Sequence, residues 1–420
     1  MAHRFKTVSV IGLGYIGLPS AAVLAAHRVK VVGVDINSDT VEIINRGNIH
    51  IVEPELDSAV NAAVSGGFLF ATTTPVPANA FLVAVPTPFK DGHEPDLHHI
   101  EEVCRAIAPV LKRGDLVVLE STSPVGATEQ MAAWLQESRP DLTFPQGAGE
   151  ASDIRIAHCP ERVLPGKVMR ELIDNDRVIG GMTARCSLVA KELYEVFVRG
   201  ACIVTSVRTA EMCKLAENAF RDVNIAFANE LSIICGKLGI DVWELRELAN
   251  RHPRVRILQP GPGVGGHCIA VDPWFIVNKT PDEARLIRVA REINDAKPAW
   301  VLDQVDQAVA EHANSATLKI ACFGLTFKPD IDDMRESPSL RITLDLARRY
   351  PGRVVAVEPH VSVTPAELVS HGVPLAELAE AIETCAILVL LVDHRAFKEV
   401  EPPALKGKTV IDTRGIWSPR

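Results

Sequence analysis

The sequence predicts an α/β protein with two doubly wound, Rossmann-like domains joined by a helical central region that contains one long helix. Three observations predict this fold. A glycine-rich turn lies between two short apolar runs near the start, a helical pattern fills 209–238, and strand signals return after Leu318. Strands that alternate with helices favour parallel sheets, so one is expected at each end of the chain. The expected domains are 1–204, 205–305 and 306–420.

Length and composition exclude several classes of protein. The chain has 420 residues, 47% of them hydrophobic and 23% charged, which is typical of a globular protein with two or three domains. The net charge of -9 argues against a general nucleic-acid-binding protein, which would carry a basic face. The nine cysteines are scattered without CxxC spacing. This pattern predicts a reducing cytoplasm and neither a disulfide framework nor a metal site.

The uncharged segment Val8–Ala26 could be mistaken for a signal peptide or a membrane span. Its glycines and Pro19 interrupt it, and it is better explained as strand, turn and helix. Thr7–Ile11 and Lys30–Val34 are β-branched runs typical of buried strands, and Leu18–His27 between them is predicted to be helical. We therefore expect no membrane-spanning segment here.

The turn in this first unit is a dinucleotide-binding fingerprint. Gly12 permits the turn, Gly14 lets the backbone approach a pyrophosphate, and Gly17 lets the helix pack on the strand. The helix N-terminus offers N–H donors to the phosphates. Asp35 lies 18 residues after Gly17, where its carboxylate can bind ribose hydroxyls and repel a 2′-phosphate. The fingerprint in this context predicts NAD as cofactor rather than NADP.

Further apolar runs continue the first sheet. The predicted strands are Phe81–Val85, Leu116–Glu120, Ile154–Ala157 and Arg177–Gly180, the last of the domain. The predicted helices are His98–Leu111 and Ala127–Gln136, and Pro140–Ser152 is predicted to be an exposed loop. Two of the strands lead into 86–88 and 121–126, which are rich in hydroxyl side chains and proline. Ligands bind at such strand ends, although Thr122 could equally be a helix cap.

The longest helical pattern is Thr209–Leu238, with Thr209 as its cap and Gly239 as its stop. Apolar residues recur along it at three- and four-residue spacing, which predicts a buried stripe of Cys213, Ala216, Phe220, Val223, Phe227, Leu231 and Ile234. Lys214 and Asn218 are four residues apart and share one face. On pattern alone they are best explained as an ordinary solvated lysine and an uninvolved amide. Another helix is predicted over Leu286–Asn294.

A loop rich in glycine and proline, residues 261–273, precedes that last helix. Its composition excludes a stable helix or a central strand and lets the backbone come close to a ligand. It presents Cys268, with the carboxylate of Asp272 four residues later. A thiol on such a loop is a candidate covalent nucleophile, and the alternative is a small buried apolar side chain.

Strand signals return at the C-terminal end. The predicted strands are Lys319–Phe323, Val354–Val357, Ala386–Val392 and Thr409–Ile411, with a helix over Ser337–Arg349. They form a second doubly wound domain with an incomplete nucleotide fingerprint. Lys328, Arg335 and Arg414 lie in loops near strand ends, where cations could hold a diphosphate or could simply be solvated.

A dinucleotide fold that carries a nucleophilic cysteine suggests oxidation through a thioester. The sequence resembles the UDP-glucose/GDP-mannose dehydrogenase family along nearly its whole length. The resemblance rests on GLGYIGLP (12–19), STSPVG (121–126), CPERVLPG (159–166), KLAEN (214–218), GPGVGGHCIAVDP (261–273), FKPDIDDMRES (327–337) and DTRGIW (412–417).

Two further stretches resemble the branch of this family that oxidises UDP-N-acetyl-D-mannosamine. They are NRGNIHIVEP (45–54) and GPGVGGHCIAVDPWFIV (261–277). Pro165 stands where the glucose branch usually carries a second glutamate, which argues against UDP-glucose. The resemblance implies a twofold oxidation of the sugar C6 alcohol with two NAD consumed, and supply of a sugar acid for a surface polysaccharide.

The resemblance also implies roles for individual residues. Cys268 would attack the aldehyde, Lys214 and Asn218 would stabilise the oxyanion, and Asp272 would move protons or position water. Thr122 would order the water, and Glu161 matches a position credited with water activation or sugar contact. The cofactor would be bound by Gly12, Gly14, Tyr15, Ile16, Gly17, Asp35, Pro86, Thr87 and Thr122. The substrate would be bound by Glu161, Arg162, Lys214, Asn218, Arg254, Gly265, Lys328, Arg335 and Arg414.

The resemblance further implies a homodimer in which the long helix pairs two subunits. An arginine before the cysteine loop would reach the active site of the neighbouring subunit. The candidates for this arginine are Arg251, Arg254 and Arg256. Alternatives stay open at this point. A UDP-N-acetylglucosamine or UDP-glucose dehydrogenase has the same chemistry, an inactive nucleotide-sugar-binding protein would keep the fold, and a 3-hydroxy-acid dehydrogenase has a similar first domain but needs no thiol.

Overall fold

The structure is a computed structural model that describes residues 5–266, 268–312, 317–361 and 363–417. By internal packing the chain divides into two compact units, residues 1–217 and 218–420. The division falls within one helix. The three-part domain organisation drawn from the sequence stays a prediction.

The first unit is built on an eight-stranded sheet of order β3-β2-β1-β4-β5-β6-β7-β8. Its strands are β1 Thr7–Ile11, β2 Lys30–Val34, β3 Leu69–Thr72, β4 Ala80–Val83, β5 Leu116–Leu119, β6 Arg155–His158, β7 Arg177–Gly181 and β8 Cys202–Ser206. β7 runs antiparallel to β6, and the other neighbouring pairs are parallel. The register pairs Ile11 with Val34 and Val83, so the loops after these strands leave from one edge of the sheet.

Helices cover both faces of this sheet, and the strands bury side chains on each. Val8 and Val10 belong to one apolar core, while Ile11 belongs to the other, as the two-residue period of a strand requires. The helices are α1 Gly17–Ala26, α2 Ser38–Asn45, α3 Leu56–Ser65, α4 His98–Ile107, α5 Ala127–Ser138, α6 Pro145–Ala148, α7 Val168–Asp174, α8 Ala184–Tyr194 and α9 Val207–Leu238. The predicted doubly wound first domain is thereby confirmed.

Two details of the first unit correct the sequence predictions. Arg177–Gly180 is not the last strand, because β8 follows at the sheet edge. β8 was missed although it contains the apolar run Cys202–Val204, and as an edge strand it leaves Ile203 and Val204 exposed. The segment 140–152 is not simply an exposed loop, since it holds α6 and buries Leu142 and Phe144.

The helix α9 starts two residues earlier than the sequence predicted. The Thr209 N–H donates to Ser206 Oγ at 3.2 Å, so Ser206 and not Thr209 is the cap. The predicted buried stripe is also wrong for a single chain. Phe220 is 70% exposed and Phe227 53% exposed, whereas the buried face of α9 carries Asn218, Asp222, Asn229 and Ser232. Periodicity showed that α9 is amphipathic but not which face meets the protein's own core.

The second unit contains a four-stranded parallel sheet of order β10-β9-β11-β12. Its strands are β9 Ile320–Phe323, β10 Val354–Val357, β11 Ile387–Leu390 and β12 Thr409–Asp412. Its helices after α9 are α10 Val242–Ala249, α11 Asp272–Lys279, α12 Arg285–Glu311, α13 Pro338–Arg349, α14 Ala366–Ser370, α15 Leu378–Thr384 and α16 Arg395–Lys398. The predicted second sheet and long central helix are confirmed. Within the described ranges, no helix combines the length and apolarity needed to cross a membrane.

Lys297 on α12 gives the second unit a pH-dependent stability. Burial lowers the pKa of Lys297 to about 7. Its Nζ donates to Ser232 Oγ at 2.7 Å, and the Trp300 ring centroid, 3.6 Å away, favours the ammonium and limits the shift. The folded state therefore binds this proton less tightly than the unfolded chain does. Burial of the charged Lys297 therefore lowers the free energy of unfolding by its full amount below pH 7. This loss disappears as the pH rises to the ordinary pKa of lysine.

We therefore expect Lys297→Met to raise the free energy of unfolding by about 2–4 kcal/mol at pH 6, and by progressively less toward pH 10. Denaturant unfolding at a series of pH values measures this difference. Lys279→Met, on the exposed end of α11, is the control and should be neutral throughout. A gain for Lys297→Met that grew with pH would contradict the assignment.

Candidate active site

The glycine turn of the first unit has the geometry of a phosphate cradle. Gly12 has a φ of +90°, and a Cβ there would lie 2.6 Å from the Ala84 carbonyl oxygen. A Cβ on Gly17 would lie 1.8 Å from the Gly12 carbonyl oxygen, so no side chain fits at that position. At Gly14, in contrast, no atom lies within 4 Å of the Cβ position. The backbone is thus open where a pyrophosphate would approach it.

Asp35 at the end of β2 closes one side of this turn. Its Oδ2 accepts from the Leu13 N–H at 2.9 Å and its Oδ1 from the Asn37 N–H at 3.0 Å. A fixed carboxylate beside an open glycine turn fits the ribose of NAD and disfavours a 2′-phosphate. The second unit repeats this arrangement, since the Leu325 N–H donates to Glu358 Oε2 at 2.7 Å after a turn at Gly324.

Removing the charge of Asp35 is expected to weaken the preference for NAD. Asp35→Asn should lower the ratio of kcat/KM for NAD to that for NADP by about 10- to 100-fold, because a repulsion of a few kcal/mol is lost. Steady-state kinetics with both cofactors measures the ratio. Asp39→Asn, an exposed position in the first turn of α2, is the matched control. An unchanged ratio in Asp35→Asn would remove this residue from cofactor selection.

The loop after β5 is tied to neighbouring segments of the first unit. Thr87 Oγ1 donates to the Thr122 carbonyl at 2.6 Å, which joins the two loops that were predicted to contact NAD. Thr122 does not cap α5, because Gly126 occupies the cap position. Glu211 on α9 is buried and accepts from the N–H groups of Gly126 at 2.7 Å and Thr128 at 2.8 Å. Glu211 thereby fixes this loop to the turn of α9 that carries Lys214.

Glu161, in the loop after β6, is held by one guanidinium and one backbone N–H. Its Oε2 accepts from Arg177 Nη1 at 2.7 Å, and its Oε1 from the Arg162 N–H at 2.6 Å. Glu161 and Arg177 are both buried. The Arg162 guanidinium donates from Nε to Glu217 Oε2 at 3.1 Å, so the Glu161 loop is also tied to α9. Sequence reasoning missed Arg177 and Glu217, because a charged side chain at the start of a strand or on a helix is usually exposed to solvent.

Asn218 and Asp272 form a buried pair in the second unit. Asn218 Nδ2 donates to Asp272 Oδ2 at 2.5 Å, and both side chains are less than 10% exposed. The Asp272 N–H donates to the Cys268 carbonyl at 2.8 Å, where the cysteine loop enters α11. Cys268 is exposed, unlike most cysteines of the chain. An accessible thiol with a carboxylate four residues later in the chain can act on a bound carbonyl carbon.

The glycines of the cysteine loop face the loops of the second sheet. A Cβ on Gly265 would lie 2.6 Å from the Glu336 carbonyl oxygen and 2.9 Å from Phe327 Cβ. A Cβ on Gly261 would lie 2.7 Å from Arg414 Nη1. The absence of side chains thus lets the cysteine loop approach the segments that carry the predicted nucleotide-binding cations.

The predicted cations differ in their surroundings. Arg414 Nε and Nη2 lie 2.8 Å from Asp393 Oδ1, and this ion pair is partly buried. Arg335 pairs with Asp333 at 2.7 Å on an exposed part of the loop, and Lys328 is half-buried. The three competing arginines before the cysteine loop are all exposed, namely Arg251, Arg254 and Arg256. Arg414 is therefore a predicted cation that the fold of this chain brings to the cysteine loop.

Family comparisons match three successive segments of the chain. Residues 6–198 match the NAD binding domain of the UDP-glucose/GDP-mannose dehydrogenase family, 208–296 its central domain and 321–419 its UDP binding domain. An NDP-N-acetyl-D-galactosaminuronic acid dehydrogenase of Ralstonia nicotianae is 64% identical, over 99% of this chain and 97% of that protein. A UDP-N-acetyl-D-mannosamine dehydrogenase of Escherichia coli K12 is 62% identical, over 98% and 99%.

Solved structures show the same similarity. A UDP-D-ManNAc dehydrogenase from Pyrococcus horikoshii is similar with a TM-score of 0.87 and 39% identity, over 98% of this chain and 96% of that one. A UDP-N-acetyl-mannosamine dehydrogenase from Staphylococcus aureus has a TM-score of 0.84 and 39% identity, over 99% and 96%.

Proposed function

The chain belongs to the UDP-glucose/GDP-mannose dehydrogenase family of NAD-dependent nucleotide-sugar dehydrogenases, and we propose that it oxidises the C6 alcohol of UDP-N-acetyl-D-mannosamine to the carboxylate. The observation that carries this proposal is the end-to-end similarity to dehydrogenases of that sugar nucleotide, together with an exposed Cys268 whose carbonyl accepts from the N–H of Asp272, the buried partner of Asn218. The overall reaction is RCH₂OH + H₂O + 2 NAD⁺ → RCOO⁻ + 2 NADH + 3 H⁺.

NAD, when bound at the glycine turn of the first unit, accepts the hydride that leaves C6 in each oxidation. The chain's own residues then handle the aldehyde. The Cys268 thiol passes its proton to Asp272 or to water, and its sulfur bonds to the aldehyde carbon, which leaves an oxyanion on the sugar oxygen. Lys214 and Asn218 are proposed to stabilise that oxyanion, since an ammonium and an amide N–H suit a developing negative charge.

Loss of the second hydride converts this adduct to a thioester of Cys268. Water then adds to the thioester carbon and the carbon–sulfur bond breaks. The free Cys268 thiol is thereby restored, and the sugar acid is released. Asp272 is proposed to move the proton of that water, with Thr122 and Glu161 placing the water or the sugar. The nucleotide would be held by Lys328, Arg335 and Arg414, whose charges complement a diphosphate.

A second candidate substrate is UDP-N-acetyl-D-galactosamine. The 64% identical Ralstonia relative is named for an N-acetyl-galactosaminuronic acid, and overall identity does not separate it from the mannosamine enzymes at 62%. The solved structures favour mannosamine, because the corresponding galactosaminuronic acid enzyme from Methanosarcina mazei is 30% identical and the mannosamine enzymes are 39% identical. The two sugars differ in configuration at C2 and C4, and such isomers are distinguished by a few hydrogen bonds in the sugar pocket.

The decisive experiment follows NADH formation with UDP-N-acetylmannosamine, UDP-N-acetylgalactosamine, UDP-N-acetylglucosamine and UDP-glucose. The highest kcat/KM is expected for UDP-N-acetylmannosamine, with two NADH formed per sugar acid identified by mass spectrometry. Preference for another sugar would replace the substrate assignment. UDP-sugar binding without NADH formation would instead favour an inactive binding protein, and a product that stops at the aldehyde would favour a simple two-electron dehydrogenase.

We also propose a homodimer that pairs two copies through α9. Phe220, Phe227 and Ile234 are 70%, 53% and 46% exposed along this helix. A stripe of large apolar side chains that a single chain leaves exposed indicates an interaction surface. Phe220→Glu with Phe227→Glu should give a monomer by light scattering, while Phe70→Glu, at a 58% exposed phenylalanine of β3, should not. Cytoplasmic location and a role in polysaccharide synthesis stay predictions.

A further inference from the structure

A row of buried polar side chains joins α9 and α12 in the second unit. Arg291 Nη1 donates to Asp222 Oδ1 at 2.6 Å, and Asn294 Nδ2 donates to the same oxygen at 2.8 Å. Asn294 Oδ1 in turn accepts from Asn229 Nδ2 at 2.8 Å. These four side chains are at most 1% exposed. We call Arg291, Asp222, Asn294 and Asn229 the polar row.

The polar row ends on the cysteine loop. Asn229 Oδ1 accepts from the Gly261 N–H at 2.9 Å, and Gly261 is the first residue of the loop that leads to Cys268. Gly261 is also where the loop meets Arg414, because Nη1 would lie 2.7 Å from a Cβ at that position. Arg414 Nη1 additionally donates to the Pro260 carbonyl at 3.4 Å. The start of the loop is therefore held from the helix side by Asn229 and faced from the other side by Arg414.

The chemistry of the polar row suits a positioning role better than a stabilising one. Burying an arginine, a carboxylate and two amides contributes little net stability compared with apolar side chains of the same volume. The hydrogen bonds along the row instead restrict the orientation of its members, although Asp222 Oδ2 and Arg291 Nε have no hydrogen-bond partner among the described residues. Each amide of the row both donates and accepts, so the orientation of Asn229 is determined by Asn294, whose orientation is determined by Asp222 and Arg291.

We propose that Asn229 is a positioning residue that holds the Cys268 loop in register with Arg414 through the Gly261 N–H. This inference rests on the proposed function, in which Cys268 attacks a sugar carbon while Arg414 binds the diphosphate of the same molecule. Both ends of the substrate must then be placed by groups whose separation is constant. The shared residue Gly261 supplies that connection within the second unit.

The variant Asn229→Leu tests the proposal, because leucine has the branching and the number of side-chain heavy atoms of asparagine and can neither accept from Gly261 nor donate to Asn294. Acid formation should fall by about 100-fold, since small displacements of a reacting group have effects of that order. The first oxidation does not use the thiol, so its rate should change far less, and aldehyde should be released. Ser232→Ala is the matched control, because Ser232 is buried one turn later and its Oγ contacts Lys297 and the backbone carbonyl of Asn229, neither of which is the Asn229 side chain or the loop.

A second readout does not depend on activity. UDP alone should slow the alkylation of Cys268 by iodoacetamide, followed by peptide mass spectrometry, by about threefold or more in the wild-type protein and in Ser232→Ala. In Asn229→Leu this effect of UDP should disappear. If the wild-type protein oxidised no UDP-sugar but still showed this effect, the proposed function would fail and the positioning role would stand.

Gly261→Ala tests the same connection from the loop side and does not disturb the polar row. Its methyl group would displace Arg414 or the loop, so aldehyde release and loss of the UDP effect are expected here as well. This variant also decides the case in which Asn229→Leu does not fold. Two results together would overturn the proposal, in a folded Asn229→Leu protein or in Gly261→Ala. They are a wild-type ratio of aldehyde to acid and an unchanged effect of UDP on the alkylation of Cys268.

Discussion

Cys268→Ala is expected to lower the rate of sugar-acid formation by at least about 1,000-fold, because covalent catalysis by the thiol has no substitute on this loop. Cys268 is exposed and lies four residues before the buried Asp272 carboxylate. Without the sulfur, the first hydride transfer can still occur, and the aldehyde then has no thioester route to the acid. One NADH per sugar and free aldehyde are the expected products.

The measurement combines NADH absorbance with mass spectrometry of the sugar nucleotide. Cys268→Ser should behave differently, since its weaker nucleophile can form an ester that hydrolyses slowly and adds the mass of the sugar nucleotide to the protein. Cys202→Ala, in the edge strand β8, is the control and should keep wild-type rates. Acid formation at the wild-type rate in Cys268→Ala would exclude a covalent role for this residue.

Asp222→Ala is expected to cost about 3–5 kcal/mol of stability, because it leaves the Arg291 guanidinium buried without its carboxylate. Arg291 and Asp222 are 1% and 0% exposed, and their contact is 2.6 Å long. Burial raises the pKa of Asp222 from its ordinary value, although Arg291 and Asn294 oppose that shift. Because the pKa of Asp222 is raised, the folded state binds the Asp222 proton more tightly than the unfolded chain does. The ion pair therefore contributes least to the free energy of unfolding at pH values above the folded-state pKa of Asp222.

Asp295→Ala is the control, because Asp295 also contacts Arg291 but its side chain is 47% exposed. An exposed partner of this kind contributes about 0–1 kcal/mol. The double variant Asp222→Leu with Arg291→Met should recover most of the loss, since neither charge is then left unpaired. Denaturant unfolding measures all four proteins, and equal effects of Asp222→Ala and Asp295→Ala would contradict the assignment of the buried partner.

Much of the fold could be predicted because its signals are local. β1 and β2 were placed correctly from two β-branched runs, and Gly12 and Asp35 follow them where the strand–turn–helix pattern requires. Each of these positions is constrained by its immediate neighbours in sequence. The same holds for the cysteine loop, whose glycines exclude helix and strand wherever they occur.

The site was harder to predict because its supporting contacts join distant segments. Arg177 lies 16 positions from Glu161, and Asn294 lies 65 positions from Asn229. The neighbouring sequence does not show whether a charged residue in a strand or an amide residue on a helix is buried with a partner or exposed to solvent. On α9 the apolar stripe with Phe220 and Phe227 was accordingly predicted to be buried, while in this chain the buried face carries Asp222 and Asn229.

The amino-acid sequence by itself determined the strand–turn–helix units, the NAD fingerprint and the presence of a thiol on a glycine-rich loop, because these depend on propensities and spacing within a few residues. Only the tertiary structure decided which face of α9 is buried, which arginine holds Glu161, and that Gly261 lies between Asn229 and Arg414. Those outcomes depend on which surfaces meet after the chain folds, and burial then selects polar groups that satisfy one another's hydrogen bonds.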